Sequence, residues 1–348
     1  MGKNATETPF FSFVVPVYGT ERFLPRCLDS LFAQTDGDFE VIVVDDCSPG
    51  DCASALKPYE GRVRYVRHET NRSAFQARRT GIRVAAGEYV VPVDPDDYLL
   101  PDVLKRARTV LAAERTDVLS CWIDYDDGRR VFPHWCRHAP GAVPAAQALA
   151  ELADDRLFTG VASKVFRRET LMAALAELAQ VEGVADAYVN TADDYLMLVA
   201  VLMCGERMSF LDYAGYRYFV NAGSTTFSWK SAEGLRKAGA QVRFVVDALA
   251  QIAARRPLDD AARASVRTSL DGLQRFFVRN VLDGGGVDLG ARLAVLRETL
   301  HAEPVARELA QEVVALRASR AYRLGRALLA PLKMLMRHAG CVLLLVLV

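Results

Sequence analysis

The sequence predicts an α/β protein: a mostly parallel, doubly wound sheet followed by a helical C-terminal region. Three observations carry this. Runs rich in β-branched and aromatic residues (Phe11–Val17, Phe39–Val44, Tyr89–Val93) are apolar almost throughout, as strands covered on both faces are. Segments with helical spacing, 21–32 and 73–86, alternate with them. From Ser231 to about Ala318 the chain is rich in Ala, Leu and Arg with helical periodicity.

In order, the first strand ends at Pro16-Val17-Tyr18-Gly19. The helix from Glu21 to Phe32 turns Phe23, Leu24, Cys27, Leu28, Leu31 and Phe32 to one side. The second strand closes in Asp45-Asp46, and a short third strand is expected over Val63–Val66. The helix from Ser73 to Ala86 carries Arg78, Arg79 and Arg83. The strand Tyr89–Val93 ends in Asp94-Pro95-Asp96-Asp97. A helix over Pro101–Arg115, a strand over Asp117–Ile123 and a polar, hairpin-like stretch to Arg130 come next. A Pro- and His-containing loop then runs to about Pro144, long enough to suggest acceptor contact. Thr191-Ala192-Asp193-Asp194 opens a further helix, with both carboxylates in a first turn, where the helix dipole and capping favour them. Breaks near Pro257, at 284–286 and near Pro304 give three or four C-terminal helices, which either pack on the preceding domain or pair subunits. The expected division is a disordered tail over 1–9, a catalytic domain over 10–228, a helical region over 229–318 and a basic, apolar-ended tail over 319–348.

Composition narrows the classes. In 348 residues, Lys plus Arg and Asp plus Glu both number 43, so net charge gives no indication of nucleic acid as a partner. Seven cysteines without regular spacing fit reduced thiols in a cytoplasmic compartment. No stretch reaches the ~20 apolar residues of a membrane-spanning helix. After Glu312 no acidic residue remains. Arg323, Arg326, Lys333 and Arg337 share one helical face opposite Leu324, Leu328, Leu332, Leu335 and Met336. That pattern suits a helix lying on an anionic membrane surface, placing the protein peripherally at the inner face; docking on a protein is the alternative.

The acidic stretch at 94–97 carries the chemistry. Three carboxylates in four residues repel one another, and at the carboxyl end of a strand a divalent cation, Mg²⁺ or Mn²⁺, is the natural counter-charge. An acidic turn is the alternative. Asp45 and Asp46 reach the same sheet edge, where such folds bind nucleotides. No G-x-G-x-x-G follows the first strand and no P-loop occurs, which disfavours dehydrogenases and P-loop enzymes.

The ordered set Phe13–Tyr18, Phe23–Gln34, Phe39–Ser48, Asn71 through Arg78 and Gly87–Asp97 resembles glycosyltransferase family 2, with a GT-A fold. The resemblance implies an inverting transferase moving a sugar from a nucleotide-diphosphate donor, UDP-sugar favoured, to a hydroxyl acceptor. A glycan or lipid-linked acceptor in cell-envelope synthesis fits a membrane-associated member. By the same resemblance, Pro16, Tyr18, Glu21, Asp46, Arg78 and Asp94 contact the nucleotide. Tyr18 would lie against the base, Asp46 would accept from it, and Arg78 would face the phosphates. Asp96 would ligate the metal and Asp194 would be the catalytic base. Asp193, Lys164 and Arg217 are implied as phosphate or acceptor contacts, with an exposed strand lysine as the alternative for Lys164. Gly19, Ser73 and Arg79 stand where the family usually has Asn, Gly and Asn, and bear on donor identity. Two rival readings remain: a sugar-nucleotide nucleotidyltransferase, and a non-catalytic regulator resembling a phospho-accepting receiver.

Overall fold

A computed structural model describes residues 8–134, 136–153, 156–221, 231–283, 287, 291–292 and 294–296. The first elements are β1 (Phe11–Val17), α1 (Leu24–Phe32), β2 (Phe39–Asp45), α2 (Cys52–Leu56), β3 (Arg64–Arg67), α3 (Ala74–Val84) and β4 (Tyr89–Pro92). There follow β5 (Tyr98–Leu99), α4 (Val103–Ala113), β6 (Val118–Asp126), β7 (Val131–Pro133), β8 (Gly141–Pro144) and α5 (Ala145–Ala153). The chain continues through β9 (Lys164–Arg167), α6 (Arg168–Ala179), α7 (Asp193–Cys204), β10 (Arg207–Phe219), α8 (Ala232–Arg255) and α9 (Asp260–Asp283).

Among the described residues the strands form one sheet, ordered β3-β2-β1-β4-β9-β6-β10-β5, with β7 beside β6 and β8 beside β10. The half made by β3, β2, β1 and β4 is parallel, as expected. Beyond β4 the sheet is mixed: β9 runs antiparallel to β4 and β6, while β10 runs parallel to β6. The stretch read as a loop to Pro144 contains β7 and β8, each a short strand on the sheet's margin. The first helix begins at Leu24, with Pro25 in its opening turn, rather than at Glu21. The third strand sits one residue later than expected.

Successive side chains in a strand point to opposite faces, and both faces here are covered. Phe11, Phe13, Val15 and Val17 of β1 join α1 and α4 in one core, while Val14 joins α3, α6 and α7 in the other. This explains the absence of polar–apolar alternation in β1. Helix α7 is buried from Tyr195 to Met203 without a break, so it is apolar on every side.

The described C-terminal helices pack on the sheet-bearing part. The Tyr195 hydroxyl bonds the carbonyl and Oγ of Ser269 on α9. At Gly272 of α9 a Cβ would lie 2.6 Å from Ala153 Cα, so glycine permits the close α5–α9 approach. Helix α8 buries Leu235, Ala238, Val242, Val245, Leu249 and Ile252 against the same core. Among the described residues no helix is long and apolar enough to cross a membrane. The breaks at 284–286 and Pro304, the basic tail and residues 1–7 lie outside the described residues.

Candidate active site

Register builds the site. In the parallel half Val17 pairs with Asp45 and Val14 with Pro92, so Pro16 to Tyr18, Asp45-Asp46 and Asp94 reach one edge together. The two neighbouring aspartates then part company. Asp45 is fully buried and accepts from Ser48 N at 2.7 Å and Tyr65 Oη at 2.7 Å, and pairs with Arg67. It holds the strand end together and faces no cleft. Asp46, 2% exposed, takes the backbone N–H of Arg72 at 2.9 Å and of Ser73 at 2.8 Å, with His68 Nδ1 at 2.6 Å. These bonds curl residues 71–73 over the end of β2. Ser73 turns there with φ +93° and ψ 158°, a region that essentially only glycine occupies without strain. The family resemblance implies a glycine at this position, and the backbone conformation suits one.

Tyr18 is 51% exposed beside Asp46, and Pro16 lies within β1. A second tyrosine, Tyr188, is 50% exposed on the segment entering α7, and burial of its hydroxyl, with the charge of Asp46, raises its pKa. Sequence reasoning missed Tyr188, which lies outside every motif. Glu21 accepts from Gly50 N at 3.2 Å and ties the loop after β1 to the loop after β2.

The centre of the site is Arg78. Its guanidinium, 6% exposed, bonds Asp94 at 2.7 Å, pairs with Asp193, and lies 3.3 Å from Asp194. Burial works against its charge, but Asp94, Asp194 and Asp193 outweigh that and hold its pKa above the usual arginine range. Both of its terminal nitrogens meet carboxylates. Ala192 enters the helix with φ 60° and has no capping side chain; Asp193 and Asp194 stand in the first turn, as expected, and also turn to Arg78. Burial raises the pKa of Asp194 to about 7, opposed by Arg78 and reinforced by Asp193. Burial raises Asp193 as well.

Asp96 and Asp97 also differ. Asp97 is buried, accepting from Tyr216 Oη at 2.5 Å and Phe219 N at 2.8 Å, and so pins the end of β10. Asp96 accepts from Asn221 Nδ2 at 2.6 Å, while its backbone carbonyl takes Arg26 at 2.5 Å. Burial and the charge of Asp94 raise its carboxyl to about 6. Among the described residues no three His, Cys, Asp or Glu side chains group as a metal cage. Asp96, desolvated beside Asp94 and met by an amide rather than a cation, fits a hard divalent ion that completes its shell with phosphate and water.

Lys164 is neither exposed nor turned to a phosphate. It is 0% exposed, with Nζ bonded to the carbonyls of Phe158, at 3.0 Å, and Gly160. Burial lowers its pKa to about 8, against the pull of Asp194. Arg217 bonds the Ala214 carbonyl at 2.7 Å and pairs with Asp124 at 3.2 Å. It braces β10 against β6. Asp94, Asp96, Arg78, Asp193 and Asp194 thus form one cluster, with Asp46 and Tyr18 along the same edge. A phospho-accepting receiver is disfavoured because Asp45 is fully buried and bonded within the end of β2.

Residues 12–172 match glycosyl transferase family 2. Over that segment, just under half of its length, the chain is similar to that family. It is 29% identical over 225 residues to the uncharacterized glycosyltransferase EpsJ of Bacillus subtilis, covering 63% of each chain. It is 31% identical over 234 residues to the succinoglycan biosynthesis protein ExoO of Rhizobium meliloti, again covering 63% of each. The chain thus spans just under two thirds of the length of these relatives. The crystal structure of Staphylococcus aureus TarS 1–349 in complex with UDP superposes with a TM-score of 0.61 at 23% identity, covering 86% of this chain and 82% of that one. The mannosyltransferase PcManGT of Pyrobaculum calidifontis, in complex with GDP-Man and Mn²⁺, superposes with a TM-score of 0.53 at 18% identity, covering 93% and 85%. These two likenesses establish the GT-A-type fold.

Proposed function

We propose that this protein is an inverting glycosyltransferase that moves a sugar from a nucleotide diphosphate, UDP-sugar favoured, to a hydroxyl acceptor. The observation that carries the proposal is the gathering of Asp94, Asp193 and Asp194 around one buried arginine, with Asp96 beside Asp94, at the carboxyl edge of β1, β2 and β4. Tyr18 and Tyr188 offer two aromatic faces for a base, and Asp46 lies between their elements as the acceptor for a base N–H. TarS, a poly(ribitol-phosphate) β-N-acetylglucosaminyltransferase, and ExoO act on or build envelope polymers. Their likeness supports a glycan or lipid-linked acceptor in envelope polysaccharide synthesis.

Charge gives the mechanism. Asp96, with Asp94, would hold a Mg²⁺ or Mn²⁺ ion, whose charge stabilises a leaving diphosphate. The acceptor hydroxyl gives its proton to Asp194 as its oxygen forms the bond to the sugar C1 and the C1–O bond to diphosphate breaks. A carboxylate with a pKa near 7 is a far better base than one near 4 and is still half ionised at neutral pH. One displacement inverts the anomeric centre. Arg78 keeps the three neighbouring carboxylates tolerable in one place. The membrane role expected of residues 319–348 remains part of this proposal. Asp194→Asn should bind UDP with Mn²⁺ as the wild type does, seen as an unchanged thermal shift, and lose nucleotide release from UDP-sugars. Full turnover in that variant refutes the base assignment, and no UDP-dependent shift in the wild type refutes the donor class.

A further inference from the structure

Helix α8 belongs to the C-terminal region, outside the segment that matches the family, yet it reaches the site. The side-chain oxygen of Gln241 accepts the backbone N–H of Asn190 at 2.8 Å and of Thr191 at 2.8 Å. These are the two peptide groups just before Ala192, which turns with φ 60° into Asp193 and Asp194. An L-residue in the left-handed region costs about 1–2 kcal/mol, so the turn persists only where its surroundings fix it. Ala192, at the N-cap, has no side chain that caps the helix. Gln241, more than 45 residues away in sequence, is what grips the backbone at its entry.

The grip extends to the nucleotide side. The Asn190 side chain accepts Ala74 N at 2.8 Å and donates to Tyr188 Oη at 3.1 Å. Ala74 follows Ser73, whose N–H is held by Asp46. The same segment is fastened to α3 by Gln76 Nε2, which donates to the carbonyls of Val184 at 2.9 Å, Ala185 at 3.1 Å and Ala187 at 3.1 Å. The nucleotide-side loop therefore has anchors of its own. The entry to α7 leans on Gln241.

We infer that Gln241 of the C-terminal helix is a positioning residue for the catalytic base, holding the Asn190–Ala192 turn so that Asp194 stands where an acceptor hydroxyl must deliver its proton. The inference rests on the proposal that Asp194 is the base. A displacement on the order of 1 Å can cost a hundredfold in rate, and one lost acceptor for two backbone donors is enough to loosen this turn.

The test is turnover of UDP-GlcNAc, UDP-glucose and UDP-galactose, read as UDP release, together with UDP affinity in Mn²⁺, for full-length wild type, Gln241→Met, Gln241→Glu and Asp194→Asn. Gln241→Met keeps length and flexibility and removes the oxygen. We expect its kcat to fall about tenfold or more while UDP affinity stays within about threefold. Gln241→Glu keeps acceptor oxygens in place and should retain at least half the wild-type kcat. A kcat for Gln241→Met within threefold of wild type, with Asp194→Asn inactive, overturns this inference and leaves the base assignment standing. Equal losses in Gln241→Met and Gln241→Glu also overturn it, because the acceptor is then not what matters. An active Asp194→Asn, or a wild type that turns over none of these donors, overturns the proposed function and this inference with it.

Discussion

Replacing Arg78 with methionine tests the electrostatic centre of the fold and the site at once. The side chain is buried, and its two terminal nitrogens meet Asp94 and Asp193 with Asp194 at 3.3 Å. Its Nε has no acceptor among the described residues, so the guanidinium is desolvated at real cost and held by its carboxylates alone. Methionine fills most of the volume but removes the charge. Removing one partner of a buried pair costs about 3–5 kcal/mol. At about 2–4 °C per kcal/mol for a domain of this general size, the melting temperature should drop by roughly 6–20 °C at pH 8. The sign with pH follows from linkage. Without Arg78 the folded-state pKa values of Asp193 and Asp194, already raised by burial, rise further above their unfolded values. Stability from groups with raised folded pKa is fully present below the unfolded pKa and lost as pH rises through the folded pKa. The deficit should therefore shrink markedly between pH 8 and pH 5.5. Differential scanning calorimetry at the two pH values measures it. Arg108→Met serves as control, since its bonds to Asp36 and Asp38 lie at the surface and should be worth about 1 kcal/mol or less. An Arg78→Met protein that melts within 2 °C of wild type at pH 8, or a deficit equal at both pH values, would falsify the claim that one arginine neutralises this cluster.

Two further outcomes follow from single residues. If Asp194 is the base, only its ionised form works, so kcat should rise with pH through about 7 and level off above it; a flat profile from pH 5.5 to 8.5 contradicts the role. Ser73→Gly removes a strained backbone and a buried Oγ that has no hydrogen-bond partner. Relief of about 1–3 kcal/mol, less about 0.5–1 kcal/mol for the freer unfolded glycine, should leave a stabilised protein with a melting temperature a few degrees higher, and a lower one refutes the strain.

The sequence was most legible where contacts are local. Near-continuous apolar strands announced the parallel half, and the acids at their ends announced the edge where a ligand would bind. It was least legible where partners lie far apart along the chain. A short apolar strand carries no mark of direction, so β9 and the mixed half of the sheet stayed hidden. Asp193 and Asp194 read from their own segment only as helix-opening acids, and the family resemblance alone marked Asp194 as a base, because their partner, Arg78, is 115 residues from Asp193. Lys164 looked exposed because a lysine in a strand usually is, and only tertiary structure brings the Phe158 and Gly160 carbonyls to its ammonium group. Tyr188 and Gln241 share the same obscurity.

These misses share a physical cause that bears on how such a site persists. A cluster of four carboxylates is electrostatically unstable by itself, so each member needs a partner set by the fold rather than by its own segment. Asp94 comes from the end of β4, Asp193 and Asp194 from the start of α7, and Arg78 from the middle of α3. The entry to α7 is in turn held from α8. The motif residues can therefore be present in a chain whose site is not assembled, and the C-terminal helices, remote from every motif, belong to the machinery that assembles it.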